Sequence, residues 1–181
     1  MANQDNPRGF KPVYMKSGGD LPAPITMVAN GRIFRGDAVI LEADGDALAS
    51  TANTDRLLGV AVSYADASGD SVLVMKHPDV VYEAQLDDAT TFNDTSYGLM
   101  CSVVYTHAGS TTTQLSGMEV DGDSGANSDL QLRVEKGPSG NVIKQTPDNA
   151  AGLNAVVYVS IFDGFENTVS KAAATDSTPG V

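Results

Sequence analysis

The sequence predicts an all-β protein: a compact β-barrel or β-sandwich body preceded by an extended N-terminal arm. Three observations predict this fold class. Short segments alternate between apolar and polar residues with a period of two, as half-buried strands do. Turn-forming pairs such as Asn30-Gly31, Asp44-Gly45 and Asp121-Gly122 separate these segments. No long amphipathic helical pattern is visible, so a barrel or sandwich is favoured over the helical classes.

The first 24 residues form the predicted arm. They hold four prolines, Pro7, Pro12, Pro22 and Pro24, together with three glycines. Because proline fixes φ and removes an amide donor, this spacing favours an extended chain over a helix. Residues 25–167 are the predicted all-β body. Residues 168–181 are small and polar with little to bury, so we expect a flexible polar tail.

Eight segments of the body are predicted strands. The clearest are 80–86 (VVYEAQL) and 130–135 (LQLRVE), in which apolar and polar residues alternate. Segments 72–75 and 155–162 are apolar on both faces, which suits central strands or strands covered by a second subunit. The remaining predicted strands are 25–29, 38–43, 57–64 and 99–106. A short helical turn is expected only between Asp88 and Gly98.

The charge of the chain bears on its partners. Lys and Arg number 11 against 23 Asp and Glu, a formal net charge of -12. This field repels phosphates and anionic lipids, so we expect neither nucleic acid nor a membrane as partner. No apolar stretch approaches the ~20 residues that span a bilayer. The N-terminus lacks the pattern of a signal peptide, so we expect a soluble protein synthesised in a cytoplasm.

Cys101 is the single cysteine and stands in the apolar run 99–104. One cysteine can form no internal disulfide. Because an unpaired cysteine behaves as a small hydrophobic residue, we expect a buried, unreactive thiol.

The tripeptide Arg35-Gly36-Asp37 is one that adhesion receptors read when an exposed loop presents it. Here its flanking residues are Phe34 and Ala38-Val39 rather than flexible polar residues. We therefore interpret the tripeptide as the bend between two strands.

The two histidines, His77 and His107, each stand beside a turn and beside no Ser or Cys nucleophile. The local sequence thus indicates no catalytic triad. The glycines do not follow the spacing of phosphate-binding loops. We expect no catalytic residues and no cofactor.

Two acidic pairs invite comparison with calcium loops. Asp44 and Asp46 form one pair, and Asp121 and Asp123 the other. Both pairs lack the third short-spaced ligand and the closing glutamate of an EF-hand. We interpret both as solvated hairpin tips and expect no metal site.

Seven short motifs follow one another along the chain, each occurring once: MANQDNPRGFKPV (1–13), IFRGDAV (33–39), LGVA (58–61), PDVVYEAQLDD (78–88), SGMEVD (116–121), LQL (130–132) and TPDN (146–149). In order and spacing they resemble a family of tailed-phage virion proteins found in marine and cyanobacterial phages. The resemblance covers roughly residues 1–163. Segment 124–128 and the tail after Asn167 depart from the pattern.

The resemblance implies a capsid decoration, or cement, protein on the outer capsid surface of the virion. Its partner would be the major capsid protein, and it would have no active site. Cement proteins often occupy threefold junctions, so the resemblance also implies a homo-trimer.

Within this interpretation, the arm carries much of the contact with the capsid. The candidate contact residues are Pro7, Arg8, Phe10, Pro12 and Tyr14, which would lie extended over capsid subunits and add backbone pairs to an exposed strand edge. The alternative is that residues 1–24 wrap around their own body.

Two other classes of function compete with decoration. One is another virion component, such as a tail-tube, head-fibre or receptor-binding protein. The other is a β-barrel hydrolase or a sugar-binding module, which would need converging carboxylates or stacked aromatic rings. The chain has no tryptophan and is only 6% aromatic, which disfavours sugar stacking.

Overall fold

Two antiparallel sheets pack against each other as a β-sandwich. The computed structural model describes residues 3–87, 92–122 and 131–162, and within these ranges the chain forms eleven strands and one 3₁₀ turn. The strands are β1 (Lys11–Met15), β2 (Ile25–Val28), β3 (Ala38–Leu41), β4 (Ala47–Ala49), β5 (Leu57–Ala61), β6 (Ser71–Met75), β7 (Val80–Gln85), β8 (Met100–Val104), β9 (Glu119–Asp121), β10 (Leu132–Val134) and β11 (Val156–Ile161); the 3₁₀ turn is Asp94–Ser96.

Six strands form one sheet in the order β1-β7-β11-β10-β8-β9, and five form the other in the order β2-β6-β5-β3-β4. The strands pair antiparallel throughout both sheets. The sheets are not closed into a barrel. Of the two predicted architectures, the sandwich is therefore confirmed and the barrel is wrong.

Both sheets curl, because in each an isolated bridge joins two strands that are not neighbours in the strand order. In the five-stranded sheet an isolated bridge joins Ala29, just after β2, to Ala47 at the start of β4. In the six-stranded sheet another isolated bridge joins Leu86, just after β7, to Val120 in β9. A single bridge joins only one residue of each strand. It does not form a ladder along the two strands, so neither sheet is closed by it.

Two separate clusters of buried apolar side chains lie on the two faces of the curled five-stranded sheet. The larger lies mainly on the six-stranded sheet and includes Phe10, Tyr82 and Phe92, with Leu57 and Met75 from the other sheet. The smaller lies on the opposite face of the five-stranded sheet and is formed by Ala29, Ile33, Val39, Ala47, Leu58, Ala61, Ala65, Val72 and Val74. The five-stranded sheet is thus apolar on both faces, because its curl encloses the second cluster.

All eight predicted strands are present, with ends that differ by a few residues. The helical turn expected between Asp88 and Gly98 is the 3₁₀ turn. Strands β4 and β9 were not predicted, and each has only three residues. Strand β11 is buried on both faces, as its composition predicted, whereas Leu73 in β6 is exposed. The polar tail, 168–181, lies outside the described residues.

Part of the predicted arm is strand β1, at the edge of the six-stranded sheet. Its register with β7 shifts between Pro12 and Tyr14, so the strand carries a bulge there. An edge position and a bulge are the two places where a sheet accepts proline, because one amide can be lost without breaking a central ladder.

Candidate functional site

The five candidate contact residues differ in their exposure. Arg8 is exposed, while Pro7, Pro12 and Tyr14 are half-buried. Phe10 is only 2% exposed and belongs to the larger apolar cluster. The Tyr14 hydroxyl donates a hydrogen bond to the backbone carbonyl of Lys136. The structure therefore places the Phe10 ring in the core and leaves the other four side chains partly or fully open to solvent.

The segment around Phe10 is fixed by a close crossing with the turn before β3. The Phe10 amide donates to the Gly36 carbonyl at 2.8 Å, and the Gly36 amide donates to Ala61 at 2.8 Å. Gly9 and Gly36 have φ values of +66° and +98°. A Cβ on Gly9 would lie 2.5 Å from the Gly36 oxygen, and one on Gly36 would lie 2.6 Å from the Arg8 oxygen. Both positions require glycine, because a side chain on either would separate the two segments.

The turn at Gly36 contains the tripeptide Arg35-Gly36-Asp37. Asp37 is 4% exposed, and its carboxylate accepts a hydrogen bond from the Phe34 amide at 2.8 Å. Arg35 is exposed, and its backbone bridges to Leu115. A buried Asp37 is not presented beside Arg35 as an adhesion ligand requires. The predicted bend between two strands is confirmed only on its later side, where β3 follows, because the residues before it form isolated bridges at Ile33 and Arg35 and no strand.

The crossing of these two segments creates a cleft of about 460 Å³, which we name the arm cleft. It is lined by Arg8, Phe10, Lys11, Pro12, Arg35, Gly36, Ala61, Val62 and Leu115. Three of the five candidate contact residues therefore line one depression. The tripeptide contributes Arg35 to the same depression, a role that the sequence did not predict.

The arm cleft is cationic in a strongly acidic protein. Lys11 is paired with Glu83, their Nζ and Oε1 atoms being 2.9 Å apart. Arg8 and Arg35 form no ion pair with any residue in the described part of the chain. Two exposed guanidinium groups thus stand at the rim of an apolar depression, an arrangement that suits a carboxylate-bearing ligand.

A cluster of titratable side chains lies beside the isolated bridge between Leu86 and Val120 in the six-stranded sheet. His107 Nδ1 lies 2.5 Å from Glu119 Oε2, and His107 Nε2 lies 3.8 Å from Asp87 Oδ1. Burial raises the pKa of Glu119; the hydrogen bond and charge of His107 oppose that effect, whereas Asp87 adds to it. We name these three residues the seam triad. The sequence did not predict it, because Asp87, His107 and Glu119 come from three separate segments.

The other candidate residues occupy ordinary structural positions. Asp44 accepts a hydrogen bond from the Asp46 amide at 3.1 Å within the tight β3–β4 hairpin, as predicted for a hairpin tip. Asp123 lies outside the described residues. His77 Nδ1 accepts a hydrogen bond from the Asp79 amide at 3.1 Å, a local turn contact. Cys101 is fully buried, as predicted, and burial raises the pKa of its thiol.

Comparisons of the chain with protein-family models, with curated protein sequences and with solved structures find no match. The resemblance to tailed-phage virion proteins therefore stays a prediction that rests on its motifs. Among the described residues, no helix is long and apolar enough to cross a membrane.

Proposed function

We propose that the protein is a capsid decoration protein that binds the outer surface of a tailed-phage head and stabilises contacts between major capsid protein subunits. The resemblance of its motifs over residues 1–163 to tailed-phage virion proteins supports a structural role in the virion. The arm cleft carries the proposal, because it brings Arg8, Phe10 and Pro12 together around one depression.

The chemistry of the arm cleft favours an extended, acidic segment of the major capsid protein as its occupant. Arg8 and Arg35 offer planar guanidinium groups that bind carboxylates in a bidentate manner. Val62 and Leu115 add apolar side chains to the lining of the same cleft. A net charge of -12 repels most acidic partners, so a local cationic cleft directs such a partner to one place.

Strand β1 adds a second mode of contact beside the arm cleft. It pairs with β7 on one side and is the outermost strand of its sheet. An edge strand offers backbone donors and acceptors to an incoming strand, so a capsid segment in the cleft can continue along β1. Phe10 anchors this surface from inside, while Pro7, Arg8, Pro12 and Tyr14 form its outer part.

The stabilising effect follows from differential affinity. A head filled with DNA is under outward stress, which favours separation of neighbouring subunits. A protein that binds the closed junction more tightly than the open one shifts the equilibrium towards the closed state. When every equivalent junction is occupied, the binding free energies add up over the whole shell. This stabilisation requires no catalysis.

The experiment measures binding of purified protein to heads of the source phage from which this protein has been removed. Wild-type protein is compared with Arg8→Glu, Arg35→Glu and the control Arg32→Glu. Arg32 is an exposed arginine paired with Asp66 outside the arm cleft, and its substitution changes the net charge by the same amount. We expect Arg8→Glu and Arg35→Glu to raise the half-saturating concentration about tenfold or more, equivalent to ~1.4 kcal/mol, and Arg32→Glu to change it little.

The number of bound copies separates decoration from the other virion roles. Decoration requires on the order of hundreds of copies per head, because equivalent junctions repeat over the shell. A handful of copies at one vertex or on the tail would contradict decoration and favour a fibre, tail or receptor-binding component. Saturating binding that is equally tight in all three variants would remove the arm cleft from the mechanism.

A further inference from the structure

We propose that Asp87, His107 and Glu119, the seam triad, bind one divalent transition-metal ion, with Zn²⁺ as the best match. The ion would join the end of β7 to the β8–β9 hairpin, where the curled six-stranded sheet is held by the single bridge between Leu86 and Val120. This site is independent of the arm cleft and of capsid binding.

The three side chains already converge. Each offers one ligand atom, and these three atoms lie within 4.8 Å of one another. The exposed fractions of the His107 and Asp87 side chains are 44% and 38%, so an ion and its remaining water ligands can reach them from solvent. Glu119 closes the site from inside, at 1% exposure.

The Glu119 carboxylate gives an independent indication of a ligand. Its Oε2 atom contacts His107, but its buried Oε1 atom has no hydrogen-bond partner among the described residues. A buried carboxylate oxygen without a partner is costly, because the interior does not replace the water that it has lost. A metal ion at the triad supplies the missing positive charge, since His107 is the only cationic group beside Glu119 in the described part of the chain.

The backbone holds the three ligands in place. The Asp87 amide donates to the Val120 carbonyl at 3.0 Å, which fixes Asp87 beside β9. Glu119 pairs with Val104 at the end of β8, three residues before His107. A Cβ on Gly117 would lie 2.6 Å from the Ala108 oxygen and 2.7 Å from the His107 oxygen. Gly117 therefore permits the close return of the chain that places His107 over Glu119.

The ligand set favours zinc over the hard cations. Zn²⁺ accepts imidazole nitrogen and carboxylate oxygen, often with three protein ligands and one water. Mg²⁺ and Ca²⁺ prefer six or more oxygen ligands and gain little from imidazole. One imidazole and two carboxylates also carry two negative charges in all, which a divalent ion neutralises.

The test uses full-length protein without a histidine tag, treated with a chelator and dialysed, and titrated with ZnCl₂ by calorimetry. We expect one Zn²⁺ per chain and a rise in the thermal unfolding midpoint on Zn²⁺ addition. His107→Gln should weaken binding at least about tenfold and abolish the rise in midpoint. His77→Gln is the matched control, since it removes the only other histidine and should leave both values unchanged.

Asp87→Asn provides a second variant that does not disturb the buried side of the site. It should weaken Zn²⁺ binding while the circular dichroism spectrum of the metal-free protein stays that of wild type. Cobalt substitution gives a third readout, since Co²⁺ in a four-coordinate site absorbs visible light and the band should vanish in His107→Gln. Absence of binding by wild type, retention of binding by His107→Gln, or Ca²⁺ binding as tight as Zn²⁺ would each overturn the proposal.

Discussion

Asp37 is a buried carboxylate that is held by hydrogen bonds and by no ion pair in the described part of the chain. Burial raises its pKa above the ordinary 3.8, although hydrogen bonds from Ser116 and from the Phe34 amide oppose the effect. An acid whose pKa is raised by folding costs stability when it is ionised. That cost is complete above the raised pKa and disappears below 3.8.

Replacement of this carboxylate by an amide tests the sign of the effect. Asp37→Asn keeps an oxygen for the Phe34 amide and removes the charge, so we expect a higher free energy of unfolding than wild type at pH 7. The difference should shrink as the pH falls through the raised pKa towards 3.8. Urea denaturation at several pH values measures it. Asp20→Asn, at an exposed position, is the control, and a difference that stays constant with pH would contradict the expectation.

At the scale of one element, β1 depends on Glu83 in the neighbouring strand. Glu83 Oε2 lies 2.8 Å from Lys144 Nζ, and its Oε1 lies 2.9 Å from Lys11 Nζ in β1. Burial alone would raise the pKa of Glu83, but the hydrogen bonds and charges of Lys144 and Lys11 lower it overall. The stabilisation is therefore present above the ordinary value of 4.5 and is lost as the pH falls through the lowered pKa.

Glu83→Gln should loosen β1. At pH 7 we expect the amides of β1 to exchange roughly two- to fivefold faster than in wild type, because an ion pair with a lysine as exposed as Lys11 contributes at most about 1 kcal/mol. Hydrogen exchange measures the effect, and the amides of β2, an edge strand of the other sheet, are the internal control. Below the lowered pKa wild type should exchange like the variant. Equal exchange of β1 at pH 7 would show that Glu83 does not hold the strand.

Elements with a long alternating pattern were predictable from the sequence, and short or proline-containing ones were not. Segments 80–86 and 130–135 read as strands because enough residues alternate to fix the period. Strands β4 and β9 have three residues each and, unlike the three-residue β10, do not lie within a six-residue alternating segment that would reveal the period. Strand β1 was predicted only as extended, because Pro12 argues against a ladder and only the bulge at the sheet edge accommodates it.

The two candidate sites were less predictable than the strands. The arm cleft forms because Gly9 and Gly36 let two segments cross, and neither glycine reveals its partner in the sequence. The seam triad depends on the register that pairs Val104 with Glu119 and on the curl that brings Asp87 to Val120. The one available signal was Glu119 itself, an acidic residue between the apolar Met118 and Val120.

At the scale of the whole molecule, the expected trimer now has a candidate interface. Val28 and Leu73 lie on the neighbouring strands β2 and β6 and are 45% and 38% exposed. Thr26 pairs with Leu73 and Val28 with Ser71, so the two apolar side chains are diagonal neighbours on one face. Strand β11, the other predicted interface, is buried on both faces within one chain. We therefore expect the β2–β6 surface to form the threefold contact.

Light scattering tests this expectation. Wild type should have three times the chain mass of 18.8 kDa, and Leu73→Glu should dissociate to monomer because three buried charges would meet around the axis. Leu153→Glu is the control, since Leu153 is 51% exposed on the turn before β11, a strand of the other sheet. A monomeric wild type at high concentration would contradict the trimer, and a trimeric Leu73→Glu would move the interface elsewhere.

The burial of Cys101 has a practical consequence for locating the protein on a particle. Its sulfur is buried in β8 and burial raises the pKa of the thiol, so we expect maleimide reagents not to react with it while the protein is folded. A cysteine introduced on the surface would then be the sole point of attachment for a gold cluster or a fluorophore, and the native thiol need not be removed first.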